Sequence, residues 1–295
     1  LYDSSAWSAI VTDRIVVTDV GPRDGLQNED VQVATQAKID LIQALAAAGV
    51  PHIEATAFVH PRWVPQLADA TEVLQGIDRT PGTVYSALVP NVEGLERALA
   101  AGVDKVSVFT AASETFSRTN TNASIDQTLE RFAGVFELCA ARALPIRAYV
   151  STAVRCPFEG DISPSAVAGV VERLLAMGPC EIDLGDTIGV AKPDDIDALL
   201  DAVGSMVPVD ALVLHLHDTN GGALHCVRRA IERGVRRFDA ACAGLGGCPY
   251  APGAPGNLAT EALLGLCAEL GLQTGIDAQG VAAAGRAIRS QLNPV

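Results

Sequence analysis

The chain is short of basic residues: Lys and Arg number 21 against 35 Asp and Glu, giving a formal charge of −14 over 295 residues. Such a field repels phosphate backbones, so nucleic acid is excluded as an expected partner. No apolar run reaches the ~18–20 residues needed to span a bilayer, so no membrane association is expected. The seven cysteines, Cys139, Cys156, Cys180, Cys226, Cys242, Cys248 and Cys267, include no C-x-x-C pair. That excludes a zinc ribbon or dithiol redox motif and leads us to expect a reducing, cytoplasmic compartment. Leu1 to Asp13 lack a basic stretch followed by an apolar one, although numbering from Leu1 leaves room for a leader removed earlier. No Pro/Ser-rich linker, low-complexity tract or long repeat divides the chain. Neither G-x-G-x-x-G nor G-x-x-x-x-G-K-[ST] follows an early strand, which argues against an open nucleotide-binding sheet.

What the chain does have is core material, with 49% hydrophobic and only 19% charged residues. Short β-rich runs alternate with Ala/Leu-rich helical stretches, the pattern of βα units around a parallel sheet. Strands read at Ile15 to Val20, His52 to Ala55, Val84 to Val89, Lys105 to Phe109, Ile146 to Ser151, Glu181 to Leu184, Leu212 to His217 and Arg237 to Cys242. Helices read at Thr35 to Ala48, Val92 to Ala101, Ile125 to Arg142, Ser163 to Met177, Pro193 to Met206, Ala223 to Arg233 and Asn257 to Leu270. Eight alternations predict an α/β fold, one closed (β/α)8 TIM barrel over about 15–273 with a short C-terminal helical appendage over about 274–295, all one catalytic domain.

Active sites of such barrels lie where strands end and βα loops begin. His215 and His217, two apart on the seventh strand, point to one face, with Leu214 and Leu216 on the other. Two inward imidazoles on one rim favour metal ligation over a pair of hydrogen-bonded core histidines. His52, His60 and His225 lack such pairing and read as structural or surface residues, with His60 the one to watch. Asp24, past the end of strand one and beside Gly25, supplies a third ligand, and the Asn257 carbonyl oxygen a fourth. Mixed nitrogen and oxygen ligation suits Mg, Mn or another octahedral divalent cation better than a closed zinc site. Arg23 places a fixed cation beside this group, able to stabilise a developing enolate. Cys248 lies in a Gly-rich loop where a thiol can approach substrate. Glu54 and Asp186 end rim strands and could orient a ligand or pair with Arg23.

Five segments carry a resemblance: D-V-G-P-R-D-G-L-Q-N-E at Asp19 to Glu29, I-E-A-T-A-F-V at Ile53 to Val59, L-G-D-T-I-G-V at Leu184 to Val190, H-L-H-D-T at His215 to Thr219, and A-G-L-G-G-C-P-Y-A-P-G-A-P-G-N-L-A-T-E at Ala243 to Glu261. Together they resemble the 3-hydroxy-3-methylglutaryl-CoA lyase family, and the Gly-Gly-Cys-Pro-Tyr loop is the most specific of them. The resemblance implies metal-dependent cleavage of that acyl-CoA to acetyl-CoA and acetoacetate, as in leucine degradation and ketone-body formation. It implies no nucleotide cofactor beyond the CoA of the substrate, and a homodimer or larger assembly. It implies the metal ligands Asp24, His215, His217 and Asn257, with Arg23 on the thioester carbonyl, Cys248 as loop thiol, and Glu54, Asp186 and Glu261 as acidic site residues. Asp24, His215 and Asp186 stand as alternatives for the base that takes the hydroxyl proton, and Arg118 and Asn120, in the Ser113 to Asn122 stretch, are implied near the nucleotide.

The chain departs from the family pattern at His60-Pro61-Arg62 for Ser-Pro-Lys, Asn220-Gly221-Gly222 for Tyr-Gly-Gln, Pro252 and Pro255 for Lys and Ser, and Ala262 for Asp. None of these touches the implied ligands, so they bear on acyl preference rather than reaction type. Three alternatives stay open: a lyase for another branched 3-hydroxy-acyl-CoA, a Claisen-type synthase on the same barrel, and a metal- or acyl-CoA-binding barrel without catalysis.

Overall fold

The structure is a computed structural model and describes residues 13–27, 29–248 and 251–292, with no side-chain description for 247–248 and 251–255. Its elements are β1 (Val16–Asp19), α1 (Thr35–Ala47), β2 (His52–Ala57), α2 (Ala70–Gly76), β3 (Val84–Leu88), α3 (Val92–Ala100), β4 (Lys105–Ala111), α4 (Glu114–Thr121), α5 (Ile125–Arg142), β5 (Ile146–Ser151), β6 (Arg155–Cys156), β7 (Gly160–Asp161), α6 (Pro164–Met177), β8 (Glu181–Asp186), α7 (Pro193–Val203), β9 (Leu212–Leu216), α8 (Ala223–Glu232), β10 (Arg237–Ala240), β11 (Gly247–Cys248), β12 (Ala251–Pro255), α9 (Thr260–Glu269) and α10 (Ala278–Leu292). Eight parallel strands close in the order β1-β10-β9-β8-β5-β4-β3-β2. All eight expected barrel strands are present, and α10 is the expected appendage helix.

Helix starts follow local chemistry. Ser124 caps α5 by accepting from the Gln127 amide while the Gln127 side chain accepts from Ser124 N, a reciprocal capping box. Asn91 and Ser163 cap α3 and α6 in the simpler one-sided way. Two small antiparallel hairpins, β6-β7 and β11-β12, follow β5 and β10 on the loop side of the barrel. Sequence reading placed neither hairpin, nor α2, nor α4: each is short, and none carries an apolar period long enough to stand out.

The barrel interior is unusual in its chemistry. Inward positions of such barrels are mostly Val, Ile and Leu. Here alternate strands contribute His52, Lys105, Glu181 and Arg237 to a lower layer, and Glu54, Ser107, Asp183 and Asp239 to a higher one. Arg147 ties the two together. Its Nε donates to Glu181 at 3.0 Å, its Nη1 to Asp239 at 2.6 Å, and its Nη2 to Thr18 Oγ1 at 3.0 Å. Lys105 joins Glu181 from the other side. Burial together with the cations Lys105, Arg147 and Arg237 pushes His52 down to about 3, so that ring is neutral at pH 7.

Asp19, at the end of β1, is the reverse case. Burial drives its pKa up to about 7, against the stabilising bonds from Thr260 Oγ1 and Gly21 N. A carboxyl raised in the folded state adds stability at low pH that is lost as pH rises through the folded value. Asp19→Asn is therefore expected to gain stability relative to the parent chain between about pH 4 and 7, by up to ~1.4 kcal/mol per unit. Urea unfolding of both proteins at pH 5 and pH 8 checks this; a pH-independent difference would contradict it.

Candidate active site

The loop after β1 begins with a single π-helical turn, Gly21–Gly25, which points two consecutive polar residues in different directions. Arg23 turns into the barrel. Its Nε donates to Glu54 Oε2 and its Nη1 to Asp24 Oδ1, both at 2.5 Å, and the guanidinium lies over the Tyr149 ring at 5.3 Å. Glu54 is also held by Ser107 and by the Tyr149 hydroxyl at 3.1 Å. Burial opposes the guanidinium charge, but Glu54 and Asp24 outweigh it and hold Arg23 well above its ordinary pKa.

Asp24, His215 and His217 converge beside it: each offers a ligand atom, and these atoms lie within 4.8 Å of one another. Together they could hold a metal ion. Burial disfavours the Asp24 anion, yet Arg23 and the two histidines overcome that and bring its pKa down to about 2. Burial and the neighbouring His215 lower His217 to about 4. At neutral pH this pair is thus an ionised carboxylate and a neutral imidazole, the forms that bind a cation. The fit is supported by a buried atom with nothing to bond: among the described residues, His217 Nδ1 has no hydrogen-bond partner. His215 differs, its Nδ1 lying 3.3 Å from Asp239 Oδ2, the kind of outer contact that fixes a ligating ring.

Asn257 reaches the same place from the far side of the chain. Its backbone bridges to His217, and its Nδ2 donates to Asp24 Oδ2 at 2.9 Å and to the Leu245 carbonyl at 3.1 Å, leaving Oδ1 as its free donor toward a cation. Close glycine contact makes this possible: at Gly246, φ +88°, an added Cβ would sit 2.8 Å from Asn257 Nδ2 and 3.1 Å from Gly25 Cα.

The group opens on a cavity of about 800 Å³, lined among others by Arg23, Asp24, His60, Asn120, His215 and His217. Other expected residues lie elsewhere. Arg118 does not line it; α4 turns the side chain out, where it pairs with Glu114 at 3.6 Å. Asp186 accepts from Ala191 N at 2.8 Å and leaves Oδ1 unpartnered, while its neighbours Gly185 and Thr187 face the cavity. Glu261 accepts the Ala243 amide at 2.9 Å with each oxygen, away from the cavity. Among the departures, His60 is on the cavity wall, and Asn220 instead ties two rim loops by donating to the Gly189 carbonyl at 2.9 Å. The side chains of Cys248, Pro252 and Pro255 lie outside the described residues. Sequence reading missed Tyr149, Ser107, Asp239 and Arg147. The available signal was their every-second-residue spacing on β5, β4 and β10.

With this geometry in hand, comparison with known proteins is decisive: the model of the HMGL-like family matches residues 14–288. This chain belongs to the HMGL-like family. Its relatives include the mitochondrial hydroxymethylglutaryl-CoA lyase of Rattus norvegicus, 51% identical over 95% of this chain and 86% of that protein. Among solved structures, the HMG-CoA lyase of Brucella melitensis superposes with a TM-score of 0.92 at 46% identity, covering 94% of this chain and 98% of that one. An HMG-CoA lyase from Acinetobacter baumannii, solved in complex with coenzyme A and 3-methylmalate, superposes with a TM-score of 0.91 at 40% identity, covering 97% and 93%. The HMGL-like match thus spans every barrel strand and the first eleven of the fifteen residues of α10.

Proposed function

We propose that this chain is a divalent-metal-dependent carbon–carbon lyase that cleaves 3-hydroxy-3-methylglutaryl-CoA to acetyl-CoA and acetoacetate. The observation that carries the reading is the convergence of Asp24, His215 and His217 beside Arg23 on the cavity wall, in a chain about half identical to named lyases of that substrate. A divalent cation held by these three with Asn257, Mg or Mn by its hard oxygen and nitrogen donors, would supply Lewis acidity toward the substrate's oxygens.

The chain's own residues do the rest. Asp24 and His215 face the cavity and are the groups placed to take the tertiary hydroxyl proton; Asp24, at about 2, is the weaker base. Asp186 accepts the Ala191 amide through Oδ2 and has Oδ1 unpartnered among the described residues, so it stands as the third candidate. Loss of that proton lets the C2–C3 bond break: the hydroxyl carbon becomes the ketone of acetoacetate, and the electron pair passes to the thioester as an enolate. Two carboxylates take Nε and Nη1 of Arg23, so Nη2 remains for the enolate oxygen. A proton returned to C2, for which the Cys248 loop is the candidate source, completes acetyl-CoA.

A coupled assay of acetyl-CoA release tests this. Chelation by EDTA should abolish release, and Mg or Mn should restore it. Release insensitive to chelation, or none with metal present, would overturn the reading. A second reading rests on His60, which puts an imidazole on the cavity wall: a lyase for a different branched 3-hydroxy-acyl-CoA, which the same assay detects when that panel is run beside the first substrate.

A further inference from the structure

The Gly-rich loop after β10 starts from a short 3-10 turn, Cys242–Gly244, whose middle residue Ala243 is left-handed at φ 54°, a conformation costly for any residue with a Cβ. Gly244 follows at φ 58°. The surroundings hold Ala243 there. On one side, Glu261 in the first turn of α9 accepts its N–H with both oxygens at 2.9 Å. On the other, Arg289 in the last turn of α10 donates from Nη2 to its carbonyl oxygen at 2.6 Å and reaches the Gly244 carbonyl at 3.4 Å. The N–H and the C=O belong to the two peptide planes that flank Ala243, so gripping both fixes its φ and ψ together. Gly285, one turn before Arg289, completes the seat: a Cβ there would lie 2.8 Å from Ala243 Cβ and 3.2 Å from Ala243 N.

We propose that Arg289 is a positioning residue: from the C-terminal helix it locks the strained Ala243 hinge and so sets the direction in which the loop carrying Cys248 leaves the barrel. The same hinge leads through Leu245, whose carbonyl accepts from Asn257, so the lock reaches the cavity rim by a continuous path. This gives α10, which lies outside the barrel, a part in the lyase chemistry, and to that extent it rests on the function proposed above.

The test is amide hydrogen exchange of the Gly244 to Asn257 segment in Arg289→Gln, which removes an exposed side chain and leaves the barrel interior intact. Exchange in that segment is expected to quicken at least about tenfold, which corresponds to about 1.4 kcal/mol. Turnover should fall with little change in KM, and Arg289→Lys should recover part of both. Gly285→Ala, which wedges Ala243 while keeping Arg289, should change the same segment. Unchanged exchange in folded Arg289→Gln overturns the proposal, as does a loss of protection spread along α10. If the parent chain releases no acetyl-CoA, the lyase reading fails while the exchange result still decides the hinge.

Discussion

Arg23→Gln is expected to lower turnover at least ~100-fold, the scale found when one oxyanion donor is removed. The expectation follows from how completely the guanidinium is fixed. Glu54 and Asp24 hold two of its nitrogens and Tyr149 lies beneath it, so its position costs nothing to organise when charge develops on the substrate. Glutamine keeps some hydrogen-bonding capacity but no charge and no fork. It also strands Glu54, which is 1% exposed, without its cation. Removing one partner of a buried pair costs about 3–5 kcal/mol, so thermal unfolding must be followed alongside kcat. Arg23→Lys should fall between the two, keeping the charge at a single point. Turnover within a few-fold of the parent, in a folded variant, would remove Arg23 from the chemistry.

His217→Ala should weaken Mn binding, measured by titration calorimetry, by more than the ~10–100-fold typical of an outer contact of a metal site. Its effect on the metal-free fold should be small. His217 Nδ1 bonds to nothing among the described residues, so truncation strands no polar partner there, and burial already keeps the ring neutral. The two readouts together separate a ligand from a core histidine: a core histidine would show in the unfolding temperature and not in the titration. Affinity within a few-fold of the parent would remove His217 from the metal site.

Legibility of the site followed the direction of side chains along strands. His215 and His217 could be paired from sequence because period two puts them on one face, and Asp24 because it follows a strand end. Asn257 could be placed only as a candidate, since its seat depends on two glycine-bearing loops meeting, a contact between residues more than 200 apart in sequence. Arg118 and Glu261 show the opposite limit. Both lie in or beside motifs that resemble the family's, yet a helix turns one outward and a backbone amide takes the other. Strands and most helices were readable from period and caps. The interior was not, because Lys105, Arg147, Glu181 and Asp239 look like surface residues until the barrel closes around them.

That charged interior bears on how the chain finds its fold. Arg147 on β5 takes its carboxylate partners from β8 and β10 and a hydroxyl from β1, so the strands from β5 round to β1 must be in register before it is fully satisfied. A sheet lacking β8 and β10 would hold a desolvated guanidinium without its carboxylates, and a one-residue slip of β5 would swap Arg147 and Tyr149 for Ala148 and Val150 on the inner face. Greasy barrels tolerate such errors, because one aliphatic layer resembles the next. Here a slipped β5 leaves Glu181 and Asp239 without the Arg147 cation, so the interior works as a checksum on the register of β5 against β1, β8 and β10.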